Sequence, residues 1–323
     1  MRIAAVFVFF AAALTGGAFM LRNQTPFSSR VLLFEGQSAA HGTGVPATLL
    51  EVPESPPLVR ATSAAASDIE PQQPLPQPPA VIKALYATSW SASSAKQMDR
   101  LIKLIDDTEL NAIVIDIKDY TGVVAYDAAY QLARDYGAVE VRIPRINALL
   151  KKLHDHGIYV IARLTVFQDQ RLPLARPDVA LVSSSTKELW KDRRGLLWVD
   201  AAARDGWDYN IGIAKDAFAR GFDEINFDYI RFASDGEIAD IVYPAWDRAT
   251  PRREVLRQFW QYMREQLSGK IISAALFGLT TINEDDLGIG QRLEDAAAYF
   301  DYIAPMVYPS HFAPGFLNYK NPA

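Results

Sequence analysis

The stretch FDEINFDYIRF, residues 222–232, decides the fold class. Its apolar and aromatic residues predict a β-strand, in which successive side chains point to opposite faces. Asn226 and Asp228 therefore share one face, and Phe227 lies on the other. A strand this apolar belongs in the interior of a domain, so its polar face needs an explanation in terms of pairing or chemistry.

Five further apolar runs of strand length flank this one, and helical patterns separate them. Near-continuous apolar strands that alternate with helices are typical of a parallel sheet buried on both faces. The predicted strands are residues 81–88, 111–118, 158–167, 222–232, 270–278 and 302–307, and the predicted helices are residues 95–107, 146–154, 209–219, 253–267 and 291–298.

Two α/β architectures produce this pattern, a closed (β/α)8 TIM barrel and a doubly wound open sheet. No glycine-rich phosphate-binding motif follows any predicted strand, which weakens the nucleotide-binding open sheet. Polar and aromatic residues collect after the strands, where barrel enzymes build their sites. We therefore predict a (β/α)8 TIM barrel. Because only six of eight strands can be counted, it is expected to be truncated after about six βα units, as a fragment or as a reduced, open barrel.

The chain before residue 81 does not follow this pattern. An uncharged apolar run, residues 3–21, follows a basic start and suits a signal peptide or a membrane anchor. Residues 23–80 are rich in Pro, Ser and Ala, which predicts a disordered spacer, with a proline-rich recognition segment as the alternative. The expected domains are thus an anchor or signal (1–22), a linker (23–80) and a C-terminally incomplete barrel (81–323). The barrel is expected outside the cytoplasm, membrane-anchored by the N-terminal helix or secreted.

Composition excludes several classes of function. The chain has 33 basic and 38 acidic residues and a net charge of −5, so nucleic acid is not an expected partner. It has no cysteine, which excludes disulfides, thiolate metal sites and thiol nucleophiles. With only four histidines, we expect neither a metal nor a cofactor.

Charged residues inside the predicted strands are the first candidates for a site. By alternation Asp116 and Lys118 share a face of one strand, and Arg163 lies within the next. Isolated charges are costly to bury, so these should face the barrel lumen in pairs. We expect Arg163 to bridge Asp116 and Asp228. An inert salt-bridge cluster is the alternative for Asp116 and Arg163.

Five segments of the chain form a specific combination of motifs: KALYATSW (83–90), NAIVIDIKDYTG (111–122), HGIYVIARLTVFQD (156–169), WVDAAARDGWDYNIGIAKDAFARGFDEINFDYIRF (198–232) and YIAPMVYPSHF (302–312). Together they resemble the DUF4015 family of glycosyl-hydrolase-like domains of bacterial exported proteins. The resemblance covers about residues 81–323 and implies a TIM-barrel hydrolase-like domain with a carboxylate at the end of the fourth strand, where Asp228 falls.

Glycoside hydrolysis commonly uses two carboxylates that flank the scissile bond. Asp228 is the first candidate, as nucleophile or as electrostatic partner of the transition state, with Arg163 and Arg231 nearby. The second carboxylate stays open between Asp116, which lies deep, and the two residues expected to be more accessible, Asp119 and Asp200. Residues expected to contact a sugar are Asp116, Lys118, Arg163, Trp90, Trp198, Asn226, Arg231, Tyr308 and His311.

Two functions follow from these expectations. The first is a glycosidase that acts on a cell-envelope or extracellular polysaccharide, held to the membrane by its N-terminal segment. The second is a non-catalytic barrel that binds glycan or cell wall through the same aromatic cleft.

Overall fold

A computed structural model describes residues 7–8, 67–308, 315 and 319–320. Its main feature is a parallel sheet whose strands lie side by side in chain order. A two-residue strand, Phe7–Val8, pairs in parallel with the first of them. The six longer strands are β1 (Lys83–Ala87), β2 (Ala112–Lys118), β3 (Tyr159–Thr165), β4 (Glu224–Asp228), β5 (Ile271–Phe277) and β6 (Tyr302–Met306).

The strand order distinguishes between the two predicted architectures. A doubly wound sheet reverses its strand order at a switch point, whereas β1 to β6 follow one another without reversal. The six predicted strands and the α/β class are therefore confirmed, with barrel-type winding. Within the described residues no strand pairing joins β6 to β1, so the sheet is an open half-barrel rather than a closed eight-stranded one.

Helices connect the strands and cover one face of the sheet. No helix of the described residues combines the length and the apolar character that a membrane crossing requires. The helices are α1 (Ser89–Ser93), α2 (Ala95–Asp106), α3 (Gln131–Asp135), α4 (Ile146–Asp155), α5 (Leu172–Ala175), α6 (Arg204–Arg220), α7 (Arg252–Gln266) and α8 (Leu293–Ala296).

Two helix boundaries differ from the sequence prediction. The helix predicted over 209–219 begins earlier, at Arg204, directly after a loop in which Asp200 accepts hydrogen bonds from the next backbone amides. The helix predicted over 291–298 shortens to α8, because the Gln291 side chain instead bonds the Phe277 amide and the Ile230 carbonyl.

The two faces of the sheet bury different residues. The outer face carries large apolar side chains, including Ile113, Val160 and Phe227, which pack in the main core with the helices. The inner face carries a smaller apolar cluster that includes Val114 and Ile161. Burial of an aliphatic or aromatic side chain contributes about 1.5–3 kcal/mol, so the helix-covered face supplies most of the stability and the inner face is left for polar residues.

Part of the predicted linker belongs to the folded domain. Asp68 accepts hydrogen bonds from the amides of Asn147 and Ala148 at the start of α4, and the Leu75 amide donates to Asp223. A side-chain acceptor there satisfies amides that have no partner within the helix. The domain therefore starts before residue 81. The predicted anchor (1–22), apart from Phe7–Val8, and linker residues 23–66 lie outside the described residues.

The long loops after β3 and β4 are joined to each other. Val182–Ser183, in the first loop, pairs antiparallel with Ile241–Val242 in the second. The Asp240 carboxylate reinforces this contact by accepting bonds from the hydroxyls of Ser183 and Ser184, at 2.5 and 2.6 Å. The two loops thus form one unit above the carboxyl ends of these strands.

The prediction that Lys118 shares a face with Asp116 is wrong. The pairing of β2 with β3 shifts register between these residues, so Asp116 lies beside Arg163 but Lys118 lies beside Leu164. An extra residue of this kind turns the following side chain to the other face. Lys118 is fully buried on the helix side, where its Nζ lies 2.7 Å from Asp169 Oδ2 and donates to the Thr165 carbonyl at 2.6 Å.

We predict that Lys118→Met lowers the free energy of unfolding by about 3–5 kcal/mol, because it leaves the Asp169 carboxylate buried and unpaired. Urea denaturation measures this loss. The matched control is Lys151→Met, which breaks an exposed pair with Asp155 and should cost about 0.5 kcal/mol or less. Equal losses in the two variants would contradict a structural role for the buried pair.

Candidate active site

A charged cluster lies on the inner face of the sheet. The Arg163 guanidinium on β3 donates through Nη1 to Asp116 Oδ1 on β2 at 2.7 Å, and through Nη2 and Nε to Asp228 Oδ2 on β4 at 2.5 and 3.0 Å. The predicted bridge is therefore confirmed. One guanidinium serves two carboxylates because its five N–H groups form a planar fork.

Strand register brings these three side chains together. Asp116 pairs with Arg163 across β2 and β3, and Asp228 pairs with Thr165, two residues further along β3. At Asp228 the chain leaves β4 through Tyr229, whose φ of 52° is in the left-handed region. This turn directs the Tyr229 amide to Asp228 Oδ1 at 2.6 Å. A non-glycine residue in this region is strained, and such strain is concentrated at functional sites.

The cluster is largely shielded from solvent. The side chains of Asp116 and Asp228 are each 6% exposed and that of Arg163 is 19% exposed, so Arg163 is the most accessible member of the cluster. Tyr86 on β1 donates its hydroxyl to Asp116 Oδ2. Burial raises the pKa of the Asp116 carboxyl, while the positive charge of Arg163 acts in the opposite direction.

Tyr308 lies close enough to this cluster to feel its charges. Burial raises the pKa of the Tyr308 hydroxyl, and the nearby carboxylate of Asp228 raises it further. His311, the other candidate beyond β6, lies outside the described residues.

The two remaining carboxylate candidates have hydrogen-bond partners outside the bridge, although the charge of Asp119 is close enough to raise the pKa of Asp116. Asp119 forms an ion pair with Arg142 at 3.2 Å and accepts a hydrogen bond from the Thr121 amide. Asp200 is fully buried, and its oxygens accept hydrogen bonds from the amides of Ala202, Ala245 and Trp246. The expectation that Asp200 is accessible is therefore wrong, because it holds two loops together.

The candidate aromatic residues also divide. Trp90 in α1 is 62% exposed, and the Arg142 guanidinium lies 4.7 Å from the centre of its ring. Trp198 is only 1% exposed and donates its indole N–H to Asp192 at 3.0 Å. The expectation that Trp198 offers a face to a sugar is therefore wrong, while Trp90 has an accessible surface.

Arg231 is buried, and burial lowers the pKa of its guanidinium while the nearby charge of Asp228 acts in the opposite direction. Its Nη1 donates to the Phe232 carbonyl and the Ser234 hydroxyl, both at 3.0 Å. Its guanidinium carbon lies 4.7 Å from the ring centre of Trp198 and 4.8 Å from that of Phe277. Arg231 therefore packs against aromatic side chains beyond the end of β4, and cation–π attraction stabilises these contacts.

The sequence prediction missed a carboxylate on the same inner face. Glu224 is buried at the start of β4, where its Oε1 accepts from Ser273 Oγ at 2.5 Å and its Oε2 from Tyr159 Oη at 3.2 Å. Asn226 donates through Nδ2 to the same Ser273 oxygen at 2.8 Å. The alternation that placed Asn226 and Asp228 together also places Glu224 with them, so the signal was present in the sequence.

An open cleft lies apart from the bridge residues. An open cleft of about 450 Å³ lies over the loop after β3 and is lined by residues such as Gln170, Leu174 and Lys191, and by none of the bridge residues. The candidate site is the group of buried charges on the inner face, because ionisable groups with perturbed pKa values are concentrated at functional sites. Among residues 67–308 no three His, Asp or Glu side chains converge as a metal site would require.

We predict that Glu224→Gln changes how stability depends on pH. Burial raises the pKa of Glu224 from 4.5 to about 7, so the folded protein binds an extra proton between these values and loses stability as the pH rises through them. Between pH 4.5 and 8 the wild type should lose about 3 kcal/mol more than the variant. Urea denaturation at both pH values measures the difference, and parallel curves would contradict it.

This chain is similar to several solved structures. A solved structure of a hypothetical protein from Ruminiclostridium thermocellum ATCC 27405 is 36% identical, covers 64% of this chain and 98% of its own, and superposes with a TM-score of 0.56. An α-galactosidase from Thermus thermophilus is 16% identical, with a TM-score of 0.46 over 76% of this chain and 45% of its own. A chitobiase from Flavobacterium johnsoniae is 11% identical, with a TM-score of 0.49 over 72% of this chain and 39% of its own.

This chain thus spans less than half the length of either of those two enzymes. A search of the curated proteins found no match. The family model described as "putative glycosyl hydrolase domain", DUF4015, matches residues 84–323, from the second residue of β1 through β6, and includes the Asp116–Arg163–Asp228 bridge. The chain therefore belongs to the DUF4015 family of glycosyl-hydrolase-like domains.

Proposed function

We propose that this domain is a glycoside hydrolase that acts on a cell-envelope or extracellular polysaccharide. The observation that carries the proposal is the pair of carboxylates, Asp116 and Asp228, that one arginine holds on the inner face of the sheet. In barrel enzymes the catalytic groups come from the carboxyl ends of several strands. Asp228 is the last residue of β4, and Asp116 lies two residues before the end of β2.

The two carboxylates suit different roles. Asp228 accepts hydrogen bonds from a guanidinium and a backbone amide, as an anion does, and we assign it the nucleophilic or transition-state-stabilising role. Burial raises the pKa of Asp116, which favours the protonated form that a general acid needs. Asp119 is the alternative acid, since it lies just beyond the end of β2 and its side chain is 17% exposed.

An exposed tryptophan and the free acceptor capacity of the bridge both suit a carbohydrate. Trp90 follows β1 directly and one face of its ring is backed by Arg142, so the accessible surface is held rigidly. Sugar rings pack their C–H groups against such aromatic surfaces while their hydroxyls bond to polar side chains. Each carboxylate oxygen can accept two hydrogen bonds, so the Arg163 contacts leave capacity for substrate hydroxyls.

The N-terminal sequence and the strand order also support the proposal. The apolar run at residues 3–21 and the proline-rich segment after it support export, with the domain secreted or held at the membrane. The unreversed strand order supports a sheet of the (β/α)8 type. A polysaccharide outside the cytoplasm is the substrate that fits both features.

We predict that Asp228→Asn lowers turnover of a polysaccharide by at least about 100-fold, because the amide cannot carry the negative charge that the transition state requires. A panel of soluble and insoluble polysaccharides, with release of reducing ends as the readout, measures this loss. Asp155→Asn is the matched control, since this carboxylate is exposed on the far end of α4. Equal turnover by wild type and Asp228→Asn would remove Asp228 from the catalytic role.

The same panel tests the second function. Both carboxylates are already tied to Arg163, and Tyr86 adds a further bond to Asp116, an arrangement that also fits a glycan-binding domain without turnover. Retention of a polysaccharide by wild type and Asp228→Asn alike, with no reducing ends released, would favour this non-catalytic function.

We further predict that Trp90→Ala weakens polysaccharide binding by about 10-fold, since an aromatic contact contributes about 0.5–1.5 kcal/mol beyond the area that it buries. Affinity gel electrophoresis with the retained polysaccharide measures the change. Tyr319→Ala removes an equally exposed aromatic residue far along the chain and serves as control. Equal retention of Trp90→Ala and wild type would show that sugars bind elsewhere.

A further inference from the structure

A second polar cluster lies on the inner face beside the charged bridge. Glu224, Asn226 and Asp228 follow one another on the same face of β4, and Ser273 on β5 pairs in register with Asn226. Glu224 and Ser273 are buried and Asn226 is nearly so. Buried polar groups of this kind are retained where each has a partner, so their hydrogen bonds fix their orientations.

The bonds in this cluster run in one direction. The Ser273 hydroxyl has a single proton, and at 2.5 Å it donates that proton to Glu224 Oε1. The Ser273 oxygen can then only accept, and it accepts from Asn226 Nδ2 at 2.8 Å. Because an amide has one donor end and one acceptor end, this bond fixes which end of Asn226 faces away from Ser273.

The end that faces away is the carbonyl oxygen. Asn226 Oδ1 accepts no hydrogen bond from any part of the chain that the structure describes. Asn226 pairs in register with Arg163 and stands two residues before Asp228, on the same face. An acceptor on the strand beside Arg163 therefore has no hydrogen-bond donor among the described residues.

We propose that Glu224 is a positioning residue, which acts through Ser273 to hold the Asn226 amide with its carbonyl oxygen toward the charged bridge, where it accepts a hydrogen bond from a substrate hydroxyl. That the hydroxyl belongs to a sugar rests on the proposed function. The orientation of the amide itself does not, since it follows from the direction of the hydrogen bonds.

The orientation depends on the charge of Glu224. Burial raises the pKa of this carboxyl to about 7, which is close to physiological pH. A protonated Glu224 becomes a donor to Ser273, which frees the Ser273 proton for Asn226 and favours the reversed amide. The acceptor end then faces the bridge above about pH 7 and turns away below it.

The groups around Glu224 support this titration. The hydroxyls of Ser273 and Tyr159 donate to the Glu224 carboxylate and lower its pKa. Two negative charges raise the pKa of Glu224: Asp301, which precedes β6, and Asp223, the residue before Glu224. Tyr302 on β6 also faces Glu224, and the charge of Glu224 raises the pKa of the Tyr302 hydroxyl. His154 binds Asp223 at 3.0 Å on the side away from Glu224.

The experiment follows the side-chain amide of Asn226 by two-dimensional ¹H–¹⁵N NMR between pH 5 and 9, without any ligand. Its resonances are assigned by their absence in Asn226→Ala. We expect the wild-type amide to shift with a midpoint near pH 7. Ser273→Ala should abolish this shift, and Ser273→Thr, which keeps the hydroxyl, should retain it.

Two further variants isolate Glu224. The isosteric Glu224→Gln cannot titrate, so the pH-dependent shift of the Asn226 amide should disappear. This variant tests the proposal even if Ser273→Ala fails to fold. Tyr159→Phe removes one donor to the ionised carboxylate, so the midpoint should move to higher pH. An amide that does not titrate in the wild type, or one that titrates unchanged in Ser273→Ala, would overturn the proposal.

The outcome is separable from that of the proposed function. If the amide titrates as expected but no polysaccharide is cleaved or retained, the relay stands and the function fails. If a polysaccharide is cleaved, Ser273→Ala should raise KM and remove the inflection near pH 7 from the pH profile, with kcat little changed. Cleavage with an unchanged KM and pH profile in that variant would reject the positioning role alone.

Discussion

Charge burial on the inner face of the sheet is the constraint on which this structure depends. Two ionised carboxylates are costly to keep in a shielded environment unless a cation pairs with them, since desolvation costs several kcal/mol for each ion. Arg163 meets this requirement for Asp116 and Asp228 with a single planar guanidinium. The register of β2, β3 and β4 is consequently tied to the geometry of the site, because a slip of one residue would move a charge to the helix-covered face.

Much of this arrangement was predictable from the sequence because strand alternation is a local rule. The rule placed Asn226 beside Asp228, and the cost of burying charges predicted that Arg163 would join Asp116 to Asp228, as it does. It failed at Lys118, where a register shift between β2 and β3 reverses the side chain. A bulge depends on the partner strand, so a single strand's sequence does not reveal it.

Residues in the long loops were predicted less well than residues in strands. Asp200 and Trp198 follow no periodic pattern, and their burial results from the packing of distant segments against each other. Long loops carry many backbone amides that need partners. In this chain aspartates supply them: Asp169, Asp192 and Asp200 each accept two or more amide hydrogen bonds. An aspartate that follows a strand can therefore serve to accept backbone hydrogen bonds and stabilise a loop as readily as it can serve as a reactive group.

The antiparallel pair between the loops after β3 and β4 has a consequence for how members of this family diverge. Val182–Ser183 and Ile241–Val242 share a ladder, so an insertion near one segment shifts the register of the other unless it is compensated. The two loops therefore form a single unit of evolutionary change, whose lengths should covary. The connection after β1 contacts its neighbour through side chains: Arg142 donates to the Ser89 hydroxyl, and its guanidinium lies over the Trp90 ring. Side-chain contacts of this kind do not fix a strand register, so we expect the length of this connection to vary independently of the other two loops.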